Sequence, residues 1–157
     1  FTLAKKYDVI VSLFHVINYQ TSNDLLSKTF TSVANHLQTG GLFIFDTWYG
    51  PAVLSEKPSN RIKELENDKI QVTRIASSTL QHDKNMVTVL YDITVKDKRT
   101  LNISNFSEAH NVRYLFTPEI EKLLTENSFE LVHWEEWLTG NKPDLKTWGV
   151  CYICRKI

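Results

Sequence analysis

The sequence predicts an α/β fold, in which part of a doubly wound sheet carries an inserted antiparallel β-sheet. Three observations lead there. Two short apolar runs, Tyr7–Phe14 and Leu42–Asp46, flank one amphipathic helical stretch, which makes a βαβ unit with parallel strands. The β-branched runs Ile70–Leu80 and Met86–Lys96 follow one another with only the polar turn Gln81-His82-Asp83-Lys84-Asn85 between them, so they pair antiparallel. Finally, Phe129–Leu138 and Trp148–Arg155 are too close in sequence for a crossover helix, and a second antiparallel pair closes the chain.

In chain order, Tyr7–Phe14 opens the sheet. Val9, Ile10 and Val11 show no alternation, the pattern of a strand covered on both faces. His15–Gln20 is a turn rich in aromatic and amide groups. Thr21 and Ser22 are good helix caps, and Asp24, three residues after Thr21, fits a capping box. Leu25, Leu26, Phe30, Val33, Ala34 and Leu37 form one apolar face. Gly40 and Gly41 should end that helix, since glycine takes the left-handed terminal conformation at least cost. Trp48–Asn60, broken by Gly50, Pro51 and Pro58, reads as a loop forming a lid or pocket wall. Residues 61–116 are the insert: a short edge strand at Ile62–Leu65, the hairpin, and a long strand Leu101–Phe116, bulged near Ser107–His110. Thr117-Pro118-Glu119 starts a helix, with Thr as cap and Pro in the first turn.

The totals bound the function. At 157 residues one domain is the expectation, with 61–116 inserted into it. Eighteen basic residues balance eighteen acidic ones, so no charge excess points to nucleic acid or to an anionic membrane. No apolar stretch approaches the ~20 residues of a membrane span. Two cysteines are too few for a disulfide framework, and a reducing, cytoplasmic setting is expected. The chain opens on Phe1 rather than Met, so the sheet is expected to start in its middle, N-terminally incomplete.

The order of elements and four sequence words resemble the C-terminal part of class I S-adenosylmethionine-dependent methyltransferases. Tyr7-Asp8-Val9-Ile10-Val11 is similar to the family's fourth strand. Leu37-Gln38-Thr39-Gly40-Gly41-Leu42-Phe43-Ile44-Phe45-Asp46 resembles its L-x-P-G-G turn and fifth strand, with Thr39 where Pro is common. Phe116-Thr117-Pro118-Glu119-Ile120 and the Leu-Leu-x-x-x-x-Phe that follows resemble its F-T-x-E-E-L helix and sixth strand. The small-molecule branch, including sugar N,N-dimethyltransferases, carries such an antiparallel insert over its active site. The resemblance therefore implies a Rossmann-like sheet, S-adenosylmethionine as cofactor and a small-molecule amine or hydroxyl as acceptor. The family's first three strands, with the glycine-rich loop and the ribose-binding acid, have no counterpart. Glycine occurs only at 40, 41, 50, 140 and 149. This chain alone is thus expected to bind the cofactor poorly and to be inactive.

Ligands of open α/β sheets lie beyond the carboxyl ends of the strands. By the resemblance, Ser12, Leu13, Phe14 and His15 border the cofactor, and aromatic walls suit a sulfonium. Tyr19 stands where family members contact the acceptor nitrogen, and is a candidate catalytic residue. Asp46, Trp48 and Tyr49 should face the acceptor; Asp46 would hold an ammonium or a sugar hydroxyl, or simply cap the loop. Glu108 and His110 form a Glu-x-His pair on one strand face, with Glu108 for substrate binding and His110 for catalysis, or else a surface ion pair. A core Phe14, a structural His15 and an aromatic staple at Tyr19 are the plainer readings. Cys151-x-x-Cys154 lies in an apolar strand with its side chains on opposite faces, which suits neither zinc nor redox chemistry. The five histidines lack metal-ligand spacing, and no G-x-S-x-G exists for a hydrolase. A different class is also expected: a non-catalytic binding module that dimerises through the bare edge of Val9–Leu13. A nucleotide-binding oxidoreductase fragment is a third reading, opposed by the insert and the terminal hairpin.

Overall fold

A computed structural model describes residues 2–157. The chain forms two compact units, one built from the chain up to Lys57 together with Arg113–Ile157, the other from Pro58–Val112. In the first unit a four-stranded sheet runs in the order β1 (Tyr7–Ser12), β2 (Leu37–Trp48), β8 (Gly149–Lys156), β7 (Phe129–Glu136). β1 and β2 are parallel, and β8 is antiparallel to both of its neighbours. Helix α1 (Asn23–His36) makes the crossover, α2 (Gly50–Glu56) follows β2, and α3 (Thr117–Glu126) precedes β7. The second unit is an antiparallel sheet in sequential order: β3 (Arg61–Glu66), β4 (Ile70–Gln81), β5 (Met86–Asp97) and β6 (Ile103–Arg113). Among the described residues no helix is long and apolar enough to cross a membrane.

Aromatic packing holds the first sheet to α1. Phe43 and Phe45 alternate on one face of β2, their rings 4.6 Å apart, and Phe30 of α1 meets each edge-on at 5.6 and 5.4 Å. Tyr152, opposite Phe45 in the β2–β8 register, stacks on it at 5.2 Å. All four rings are fully buried. Such offset and edge-to-face contacts add about 0.5–1.5 kcal/mol per pair beyond area burial.

The structure corrects several boundaries. β1 stops at Ser12, because Phe14 and His15 both take left-handed backbone angles (φ 62° and 61°) that end the strand. Ser22 rather than Thr21 caps α1, accepting the Leu25 N–H at 3.2 Å. The Gly40–Gly41 pair does not end α1. The helix ends at His36, and the glycines lie within β2, where the β1–β2 register jumps from Tyr7↔Leu37 to Val9↔Leu42. A side chain at Gly41 would meet the Asp8 carbonyl oxygen at 3.0 Å, so close approach of the two strands needs glycine there. The expected loop after Trp48 holds a helix, α2. Phe116, not Thr117, is the N-cap of α3; Glu119 reaches back to its N–H at 3.0 Å. The expected coverage of β1 on both faces is also absent among the described residues. β1 is an edge strand, and Val9 and Val11 remain 47% and 52% exposed.

β8 buries both cysteines. Burial raises the Cys154 thiol, with a smaller contribution from Cys151, to about 12. Burial likewise raises the Tyr152 phenol to about 12, against the lowering effect of its hydrogen bond with Thr117. Above the thiol's ordinary value of 9.0 the unfolded chain loses this proton first, so the folded state binds more protons and stability falls as pH rises. Guanidinium unfolding over a pH series should therefore show a constant free energy around neutrality and a loss of order a few kcal/mol between pH ~9 and ~12. In Cys154→Ala that loss should shrink, the buried Cys151 thiol and Tyr152 phenol, both also raised, supplying the rest.

Candidate functional site

The carboxyl ends of β1 and β2 meet at a polar corner in an otherwise aromatic surround. Asp46, near the end of β2, is 1% exposed and supplies the corner's floor. Its two carboxylate oxygens accept the His15 backbone N–H at 3.0 and 3.2 Å. The His15 Nδ1 lies 2.7 Å from Asp46 Oδ2, an ion-pair distance, but out of line for a hydrogen bond, so that buried nitrogen has no in-line acceptor. This tie explains the left-handed turn. A non-glycine residue held in that region costs about 1–3 kcal/mol and persists only where its surroundings over-determine it. A buried carboxylate that needs donors is such a surrounding.

A second polar anchor went unrecognised in the sequence. Asn18 sits in a 3₁₀ turn, Val16–Tyr19, and is fully buried. Its Oδ1 accepts the Trp48 N–H at 3.1 Å, and its Nδ2 donates to the Arg113 carbonyl. It thereby ties the turn after β1 to the end of β2 and to the strand segment entering α3. The only sequence signal was an amide between Ile17 and Tyr19 in a turn rich in apolar groups. Gly149 was also missed. It lies opposite Trp48 in the β2–β8 register, and a Cβ there would stand 3.2 Å from the His15 ring. The His15 ring packs edge-on to Trp48 at 6.4 Å, and Trp48 packs edge-on to Trp148 at 5.8 Å.

The expected site residues thus fall into two groups. His15, Asp46 and Trp48 are brought into direct contact, with Ser12 and Leu13 half-buried just before them. Phe14 projects from the same turn and is 81% exposed; Tyr19, at its far end, is 48% exposed. Tyr49 instead packs against the hydrophobic core and caps α2. Glu108 and His110 belong to β6 in the other unit, 3.4 Å apart, with the His110 ring 5.2 Å from Tyr91. Asp46 is 1% exposed, and both of its carboxylate oxygens are in contact with His15. The corner can hold an imidazole in one orientation and present electron-rich ring faces beside it.

Removing the anchors should separate their roles. Asn18→Ala leaves the Trp48 N–H and the Arg113 carbonyl without partners and should cost about 2–4 kcal/mol in urea unfolding, two buried hydrogen bonds' worth. Asp46→Asn keeps the volume but removes the charge. It should release the His15 turn, seen as faster amide exchange at His15 with little change at Phe43 or Phe45.

No family model matches the chain. It is 22% identical over 140 residues to dTDP-3-amino-3,4,6-trideoxy-alpha-D-glucopyranose N,N-dimethyltransferase of Streptomyces venezuelae, a match covering 89% of the chain and 57% of that protein. Among solved structures, an S-adenosylmethionine-dependent methyltransferase from Clostridium acetobutylicum superposes with a TM-score of 0.81 at 24% identity, over 99% of this chain and 61% of that one. DesVI of Streptomyces venezuelae gives 0.79 at 21%, over 100% and 61%. The sugar N-methyltransferase KedS8 from Streptoalloteichus gives 0.79 at 18%, over 100% and 59%. The chain thus spans about three-fifths of the length of these relatives. Its fold is that of the corresponding part of the class I S-adenosylmethionine-dependent methyltransferases.

Proposed function

We propose that the chain is part of an enzyme that transfers a methyl group from S-adenosylmethionine to an amine, or a hydroxyl, of a small molecule. The observation that carries this reading is the corner at the ends of β1 and β2, where Asp46 fixes His15 beside exposed aromatic rings, in the fold that DesVI and KedS8 share. S-adenosylmethionine, when bound, supplies an electrophilic methyl on a sulfonium. The exposed ring face of Phe14 fits such a cation. In this reading Ser12, Leu13, Phe14 and His15 border the cofactor. Tyr19 orients the acceptor nitrogen or relays its proton, and Trp48 walls the acceptor. Asp46 acts through His15, and Tyr49 acts through the packing behind the wall. By the family resemblance, His110 is proposed for catalysis and Glu108 for substrate binding. Both cysteines are unpaired, which supports a reducing, cytoplasmic setting.

In-line methyl transfer is mostly positioning. For an amine the remaining chemical demand is that the nitrogen be unprotonated at attack, and a hydroxyl group within reach meets that demand by passing the proton to solvent.

One specific observation favours a second reading, a non-catalytic module that pairs with another copy. β1 is bare along one edge, with Val9 and Val11 half exposed on it. Sedimentation at micromolar concentration decides it: a dimer lost in Val9→Lys/Val11→Lys supports pairing, and a monomer overturns it.

The enzymatic reading is tested by incubating a longer protein that contains this chain with S-adenosylmethionine and small amino sugars and hydroxylated analogues, following S-adenosylhomocysteine release and the mass of the acceptor. A gain of one methylene in the acceptor is expected. In Tyr19→Phe the rate should fall by about 10²-fold at fixed acceptor binding, the usual size of an acid–base contribution. A protein that neither binds S-adenosylhomocysteine by calorimetry nor forms methylated product contradicts the proposal.

A further inference from the structure

Two large rings at the corner lie outside the hydrophobic core. Trp48 and Trp148 are half-buried, and neither packs against the cluster that α1, α3 and the sheet enclose, whereas Tyr49 and Trp134 do. The Trp48 ring meets His15 edge-on at 6.4 Å and Trp148 edge-on at 5.8 Å, and the two indole planes stand at 89° to each other. Perpendicular rings that close make an inside corner lined by apolar faces. Aromatic surface left half open to water forgoes the gain of burial, so its arrangement is informative.

Trp148 is also fixed from both sides. Its carbonyl accepts the Tyr49 N–H at 2.9 Å, and its indole N–H donates to the Glu56 carboxylate. Tyr49 is the N-cap of α2 and Glu56 its last residue, so that short helix grips Trp148 at its two ends. Ser55 donates to the Leu145 carbonyl at 2.5 Å and ties the loop before Trp148 to the same helix end. Thr147, the preceding residue, is 2% exposed, and its hydroxyl bonds to Glu136 and Asp144, each at 3.3 Å. Gly149, the next residue, lies against the His15 ring. Glu56 is exposed and, among the described residues, makes no ion pair. A surface carboxylate gives up side-chain freedom to hold one indole, and no core packing is gained in return.

We propose that Trp148 is a wall of the acceptor site, set at a right angle to Trp48, and that Glu56 is the positioning residue that fixes its plane. A charge-assisted hydrogen bond is short and directional, which suits it to that task. With its N–H spent on Glu56, the indole turns apolar surface to the corner. That surface meets the hydrocarbon body of a small acceptor and takes no part in proton transfer. Holding the acceptor still is the larger part of what an in-line displacement needs. This inference rests on the methyl-transfer reading and adds which side chains hold the acceptor.

The test uses cyclohexylamine as the probe on a longer protein that contains this chain, with ammonium chloride at matched pH and ionic strength as control. The indole Nε1–H resonances of Trp48 and Trp148, assigned through Trp48→Phe and Trp148→Phe, should move saturably with cyclohexylamine and not with ammonium. Trp148→Ala should weaken binding about tenfold, and Glu56→Ala about threefold, the size of one hydrogen bond. Glu56→Gln, whose amide oxygen still accepts the indole N–H, should restore binding. Circular dichroism confirms that each variant is folded. Unmoved resonances, a movement shared with ammonium, or undiminished binding by Trp148→Ala overturns the proposal, and undiminished binding by Glu56→Ala overturns the role of Glu56. The two readings fail separately. Saturable binding at Trp148 without methylated product removes the enzymatic reading and keeps the wall as a small-molecule site. Methylated product with an unchanged acceptor KM in Trp148→Ala removes the wall alone.

Discussion

The first unit depends on a single enclosed carboxylate. Asp46 sits near the end of β2, the interior strand of the parallel pair, out of water, where a polar group is costly without donors aimed at it. The backbone N–H of His15 donates to both of its oxygens, and the His15 ring Nδ1 stands 2.7 Å away, out of line for a hydrogen bond. To provide that donor the chain leaves β1 through two consecutive left-handed residues, which no local preference of Phe or His would select. Everything downstream inherits that turn. It places Asn18 where it can bond both Trp48 and Arg113, and it lays the imidazole over Gly149, which is glycine for lack of room.

Asn18 carries the constraint across the strand ends. The segment that enters α3 runs beside the end of β2: Leu115 donates to the Trp48 carbonyl at 3.0 Å, and Gly50 donates to the Leu115 carbonyl at 2.8 Å. Arg113, held from behind by Asn18, turns its own guanidinium to Glu119 at 2.7 Å, and Glu119 also caps α3. One carboxylate thus closes a helix start and pairs a largely buried cation. A polar chain runs from Asp46 through His15, whose carbonyl accepts the Asn18 N–H at 3.0 Å, to Asn18, Arg113 and Glu119, and it is more than a set of surface ion pairs because most of its members are shielded from solvent.

The elements were legible where periodicity and strand spacing decide them. The βαβ unit, the edge strand near Ile62–Leu65, the hairpin at residues 70–97 and the terminal antiparallel pair all follow from runs and gaps in the sequence. Boundaries failed where tertiary contacts outrank local chemistry. Gly40-Gly41 looks like a helix stop, but the pair is used for strand contact against Asp8. Trp48–Asn60 looks like a loop on composition, yet Pro51 suits the first turn of α2. In the candidate site, residue types near strand ends pointed to His15 and Trp48, but their pairing partners could not be read. Asp46 and His15 are 31 residues apart and Asn18 and Arg113 are 95 apart, with no local pattern linking them.

The position of the Asp46 tie has a further consequence for how the corner tolerates whatever lies beside β1. That strand is bonded on one side only, and beyond its free edge a groove of ≈ 540 Å³ runs between β1 and α1, lined by Tyr7, Val9, Leu25 and Val33. If the turn after β1 were positioned by β1 alone, any slip of that half-supported strand would move Phe14 and His15 with it. The turn is instead fastened to β2 and to the segment after Arg113, both of which lie inside the sheet's packed core. The side chains proposed to meet a cofactor are therefore referenced to the rigid centre of the unit rather than to its edge. Positioning within a fraction of an ångström is what a displacement reaction requires of a protein. A strand edge left open to association can coexist with such a site only if the site takes its geometry from elsewhere, and the buried carboxylate at the end of β2 is what provides it.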